Sequence, residues 1–114
     1  MNKKLGFVSK AAEKEYKKLP ENVQYIFDKN LTLIQQDKFP VLAIRHLNSL
    51  GQGVIELIQN GSPAFRCVYV TKYLGRVFVL HSFVKTTNST DRQAMKVIEQ
   101  RLKKLLNEIR KLEK

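Results

Sequence analysis

Three side chains in this sequence could act together on a phosphate: Arg66, His81 and Lys85. They interrupt a stretch, residues 64–87, otherwise rich in residues that suit a pleated sheet, among them Val68, Tyr69, Val70, Val77, Phe78, Val79 and Leu80. A guanidinium grips a phosphate through two parallel hydrogen bonds. An imidazole titrates near neutrality and can move protons. An ammonium stabilises the charge that builds on a phosphorane-like transition state. RNA supplies its own nucleophile, the 2′-OH, so such a set would cut it to a 2′,3′-cyclic phosphate and a 5′-OH with no serine, cysteine or metal. Taken singly, each residue has an ordinary reading: Arg66 as a rim arginine paired with Glu56, His81 as a structural histidine, Lys85 as a solvated lysine. Together in a basic sheet they carry more weight. Paired carboxylates, metal-ligand spacings, a Gly-rich phosphate loop and a Ser-His-Asp trio are not recognisable in the sequence.

A β-hairpin must position this set. Lys72-Tyr73-Leu74-Gly75 breaks the apolar run, and Gly75 offers the positive φ that hairpin turns favour. A two-residue turn at Tyr73 and Leu74 pairs Lys72 with Gly75. It predicts Arg66 opposite His81, Val68 opposite Val79 and Val70 opposite Val77, with Lys85 on the same face. Burying an unpaired guanidinium is costly, so one face is expected to be covered and the other, or part of it, open to a polar ligand.

The remaining elements follow from spacing. Residues 5–8 read as a short edge strand. Ser9 is a natural N-cap for a helix over 10–18, which Leu19-Pro20 ends. Pro20 suits the start of a second helix, where Val23, Ile26, Phe27, Leu31 and Ile34 form one apolar stripe. Residues 37–53 read as a loop, and loops this long are often functional. A strand over 54–59 precedes the turn Asn60-Gly61-Ser62-Pro63. Thr90 with Gln93 fits a capping box for the last helix. There Met95, Ile98, Leu102, Leu105, Ile109 and Leu112 form a stripe expected to pack on the sheet. The predicted order is β-α-α-β-β-β-α. That is an α+β fold with a small antiparallel sheet, packed on one side by an N-terminal helical hairpin and a C-terminal helix.

The chain has 114 residues, one expected domain over 1–114, and a net charge of +11. Residues 38–90 hold six basic side chains against a single acid, Glu56. A basic sheet of this kind favours a polyanion, nucleic acid first. One cysteine allows no internal disulfide and no cysteine-based zinc site. The apolar run at 5–8 is too short for a signal peptide, and that at 39–44 cannot span a membrane, so the expected compartment is the cytoplasm. The residues alone lead to a basic α+β domain suited to RNA binding, with cleavage as the further expectation.

Three strings take the reading further. G-V-I-E-L (53–57), A-F-R-C-V-Y (64–69) and V-L-H-S-F-V-K (79–85) resemble the RelE/ParE toxin superfamily, in its HigB-type, phage-derived branch. The resemblance implies a RelE-like fold and the toxin of a type II toxin–antitoxin system, a ribosome-dependent mRNA endonuclease needing no cofactor and no metal. Its partners would be mRNA, the ribosome and a cognate antitoxin of helix-turn-helix type. Operator DNA would be reached only through the antitoxin complex, and no membrane is implied. Arg66 matches the family's strand arginine and would hold the scissile phosphate. Lys85 matches its lysine and would bind the phosphate or take the 2′-OH proton. His81 matches its histidine and would orient a group or act as acid or base. Arg45, Lys72, Arg76, Thr86 and Thr87 are the expected contacts to RNA and ribosome. Thr86, Ile58 and Gln59 stand where the family usually carries basic residues. The resemblance also admits a ParE-like, non-enzymatic inhibitor of DNA gyrase, or a non-toxic member that only binds its antitoxin.

Overall fold

The computed structural model describes residues 2–85 and 91–113. Eight elements follow in order: β1 (Lys4–Phe7), α1 (Lys10–Lys17), α2 (Glu21–Gln35), β2 (Ala43–His46), β3 (Val54–Gln59), β4 (Ala64–Val70), β5 (Arg76–Lys85) and α3 (Arg92–Leu112). The result is a mixed α/β architecture, with one five-stranded sheet ordered β1-β5-β4-β3-β2.

Local chemistry explains most boundaries. Ser9 caps α1, its Oγ accepting from the Ala12 amide at 3.1 Å. Pro20 stands at the N-cap of α2, where its missing N–H costs nothing. Val23, Phe27, Leu31 and Ile34 of the expected stripe are buried, and Ile26 lies at its partly exposed edge. For α3 the capping residue is Asp91, not Thr90: the Asp91 carboxylate accepts from the Ala94 amide at 3.0 Å. A carboxylate also complements the positive end of the helix, which a hydroxyl does only weakly. Thr90 itself lies outside the described residues.

The sheet departs from expectation in three ways. First, the supposed loop over 37–53 contains β2, an edge strand antiparallel to β3, with Ala43 opposite Ile58 and His46 opposite Ile55. All four β2 residues are exposed, so no apolar alternation betrays the strand. It is held in place from α2. The buried Asn30 amide oxygen accepts from the Val41 and Leu42 amides at 2.8 and 2.9 Å, while its nitrogen donates to the Ile26 carbonyl. Second, β1 runs parallel to β5, with Lys4 opposite Arg76 and Phe7 opposite Val79, so the sheet is mixed rather than antiparallel. Third, the helices do not share one side. Leu57, Cys67, Tyr69, Val77 and Val79 pack with Tyr16 of α1 and the α2 stripe. Val54, Val68, Val70, Phe78 and Leu80 pack with Ile98, Leu102 and Leu105 of α3. The continuous burial of 65–70 is the cause: a strand apolar at successive positions needs cover on both faces.

The hairpin register also differs. The β4–β5 connection is residues 71–75, longer than the expected two-residue turn, with Leu74 and Gly75 at φ 56° and 63°. This places Val70 opposite Phe78 and Tyr69 opposite Val79. A bulge follows at Leu80, and beyond it Val68 faces His81, Arg66 faces Phe83 and Ala64 faces Lys85. Arg66 is therefore not opposite His81. The longer turn and the bulge each shift the pairing by one residue. Two shifts restore the parity, so Arg66, His81 and Lys85 still lie on one face of the hairpin.

Candidate active site

Around Arg66 the structure assembles a cluster of charge on three adjacent strands. Arg45 on β2 is opposite Glu56 on β3, which in turn is opposite Val68 on β4, next but one to Arg66. Glu56 is only 2% exposed. Its Oε1 lies 3.2 Å from Arg45 Nη2 and 3.8 Å from Arg66 Nε. Arg66 is itself buried, and its Nη1 donates to the Phe65 carbonyl at 3.1 Å. The pairing with Glu56 thus exists, but in the interior rather than at a rim. Burial pushes the Glu56 carboxyl above the usual carboxylate range, and the charges of Arg45, Arg66 and Lys85 oppose that rise without cancelling it. Lys85, diagonal to Arg66 across the β4–β5 ladder, therefore acts on the same carboxylate.

His81 belongs to a second cluster. Its ring stacks on Phe83, with centroids 4.9 Å apart and planes at 23°. Phe83 is also the residue opposite Arg66, so one aromatic ring stands between the two clusters. His81 Nδ1 is 2.9 Å from Glu15 Oε1 on α1. Arg101 on α3 holds the same carboxylate by a two-pronged bond, Nη1 to Oε1 at 2.7 Å and Nη2 to Oε2 at 2.8 Å. Arg101 Nη1 also donates to the Leu80 carbonyl at 2.9 Å. Burial alone would raise the Glu15 carboxyl. The hydrogen bonds and charges of Arg101 and His81 outweigh it and hold the group below its ordinary value.

The other expected contacts divide. Arg45 joins the Glu56 cluster, with its side chain 46% exposed. Lys72 and Arg76 lie at the opposite end of the hairpin. β4 runs four residues on from Arg66 to Val70, about 13 Å, before the connection that carries Lys72 begins. The Lys72 stem covers Gly53, whose φ of 82° and lack of a side chain make room for it. Arg76 sits opposite Lys4 at the β1 side. Thr86 and Thr87 lie outside the described residues. Sequence reasoning missed Glu15 and Arg101. The available signal was Arg101 itself, a charge three residues after Ile98 and four before Leu105, inside the apolar stripe of α3. Among the described residues, no group of three or more His, Cys, Asp or Glu could hold a metal ion, and no helix is long and apolar enough to cross a membrane.

Residues 14–103 match the family described as Phage derived protein Gp49-like (DUF891). The chain belongs to this family. The match spans α2, the whole of β2 to β5 and the half of α3 that carries Arg101, and it includes Glu15. Gp49-like proteins form a toxin-like family of RelE/HigB type, associated with toxin–antitoxin systems. No curated protein and no solved structure matches the chain.

Proposed function

We propose that this Gp49-like protein is a RelE-like toxin that cleaves mRNA on the ribosome and is neutralised by a cognate antitoxin. The observation that carries the reading is the common face of β2 to β5, on which Arg45, Arg66, His81 and Lys85 all lie. A phosphate at this face would meet the Arg66 guanidinium, which is ion-paired with Glu56 at 3.8 Å, with Lys85 and Arg45 adding charge at the more exposed positions. The 2′-oxygen would form a bond to phosphorus as the bond to the 5′-oxygen breaks. The 2′-OH proton would pass to His81 or Lys85. The net charge of +11 supports a polyanionic target such as the ribosome. Operator DNA would be contacted only through the antitoxin complex.

The test is a primer-extension map of a reporter mRNA in a purified translation system, with wild-type protein and with Arg66→Ala. Cuts within codons that require ribosomes and vanish in the variant are expected. A folded wild-type protein that makes no cuts would overturn the reading, and a gyrase cleavage assay would then decide whether the protein acts as a ParE-like inhibitor or as a silent antitoxin-binding member.

A further inference from the structure

The bulge in β5 places a histidine where two helices can reach it. Leu80 has no partner in the β4–β5 ladder, and its carbonyl is taken up by Arg101 instead. Bulges re-aim the side chains beside them, and the next residue here is His81. Glu15 from α1 and Arg101 from α3 then meet at the ring. This is a built arrangement: three elements converge, both oxygens of one carboxylate are engaged, and the ring is held flat against Phe83.

The contacts decide which ring nitrogen carries the proton. Glu15 is ionised near neutral pH, and a carboxylate only accepts hydrogen bonds. Nδ1, 2.9 Å from its oxygen, must therefore be the N–H. Arg101 Nη1 also lies 3.4 Å from Nδ1, but a guanidinium only donates, and its shorter bonds go to Glu15 and Leu80. A neutral ring with Nδ1–H leaves the lone pair on Nε2.

We infer that Glu15 and Arg101 are positioning residues that hold His81 in the Nδ1–H form, so that Nε2 acts as the general base of RNA cleavage. The inference rests on the proposed endonuclease reading and names the base within it. Nε2 takes the proton from the 2′-OH, and the 2′-oxygen bonds to phosphorus. The bond to the 5′-oxygen breaks, and that oxygen takes a proton from water. The imidazolium so formed sits against the Glu15 carboxylate, which stabilises it, while Arg101 keeps the carboxylate from turning away. Lys85 is then left to bind the phosphate.

Two measurements test this. Long-range nitrogen-15 NMR of the wild-type protein, at a pH where the ring is neutral, is expected to show a protonated Nδ1 and a bare Nε2 at His81. Cleavage rates are then measured for Glu15→Gln, His81→Ala and the double variant. His81→Ala is expected to lose about 100-fold or more and Glu15→Gln about 10- to 100-fold, the range typical of a positioned base. Glu15→Gln should cost nothing further once His81 is gone. Arg101→Lys keeps the charge, breaks the two-pronged grip, and should show a smaller loss of the same kind even if Glu15→Gln does not fold. A neutral ring protonated on Nε2, or losses that add in the double variant, would overturn the inference while leaving the endonuclease reading intact. A wild-type protein that cuts no RNA would overturn both.

Discussion

Removing the Arg66 side chain should injure stability and chemistry separately, and the two effects can be told apart. Arg66→Ala takes one cation from a carboxylate that is 2% exposed. Leaving a buried charge wholly alone costs about 3–5 kcal/mol. Here Arg45 remains at 3.2 Å from Glu56, and Arg66 at 3.8 Å was beyond hydrogen-bonding range, so the loss falls to about 1–2 kcal/mol. For a chain of this size that lowers the melting temperature by about 5–10 °C, a cost within the usual stability of a domain. The loss depends on pH. Glu56 binds its proton more tightly in the folded protein than in the unfolded chain. Its ionisation therefore weakens the fold as pH rises from the ordinary carboxylate range through the raised value. Without Arg66 that value rises further. The part of the penalty due to Glu56 is then complete above the new value and vanishes below the ordinary range, where the carboxyl is neutral in both states. Thermal melts of both proteins across this window give the comparison. Glu56→Gln combined with Arg66→Ala removes the buried charge and should recover most of the loss, yet remain unable to cleave. A penalty of equal size at every pH, or no recovery in the double variant, would refute the electrostatic account. A double variant that regains cleavage would show that Arg66 serves the fold and not the phosphate.

Three other variants or reactions probe separate parts of the molecule. Lys85→Ala should abolish growth arrest on induction while leaving the far-ultraviolet circular dichroism unchanged; full toxicity would remove Lys85 from the site. Asn30→Ala loses the bonds to Val41 and Leu42 that fix the approach to β2, so about 1–3 kcal/mol of stability should go, with faster hydrogen exchange at those two amides than at β4. The Cys67 thiol is fully buried, and burial pushes it up to about 12. A disulfide reagent at pH 8 should therefore label it only as fast as the protein unfolds, and rapid labelling of the native protein would contradict its place between β3 and β5.

The local pattern of the sequence was enough for much of this molecule. The Ser9 cap, the apolar stripe of α2, that of α3 as far as Ile109 (Leu112 is exposed) and the strand at 54–59 all rest on spacing along a few residues of chain. Such spacing acts through backbone geometry that neighbours share. Arg66 shares a face with His81 and Lys85 only because the longer turn and the bulge cancel in parity. Tertiary structure alone decided the rest. An exposed edge strand such as β2 has no buried face to mark it and exists only because β3 offers a ladder and Asn30 holds its approach. The register of β4 on β5 was set by a five-residue connection and a bulge, each a shift of one residue that composition cannot register. Ion-pair networks were decided last. Glu56 is already legible in the sequence as a partner for Arg66, but its burial and its sharing with Arg45 come from three strands lying side by side, and Glu15 reaches His81 and Arg101 because α1 and α3 close on β5 from remote parts of the chain. A charged side chain is indifferent to sequence distance: it pairs with whatever the packing of apolar surfaces brings within about 4 Å.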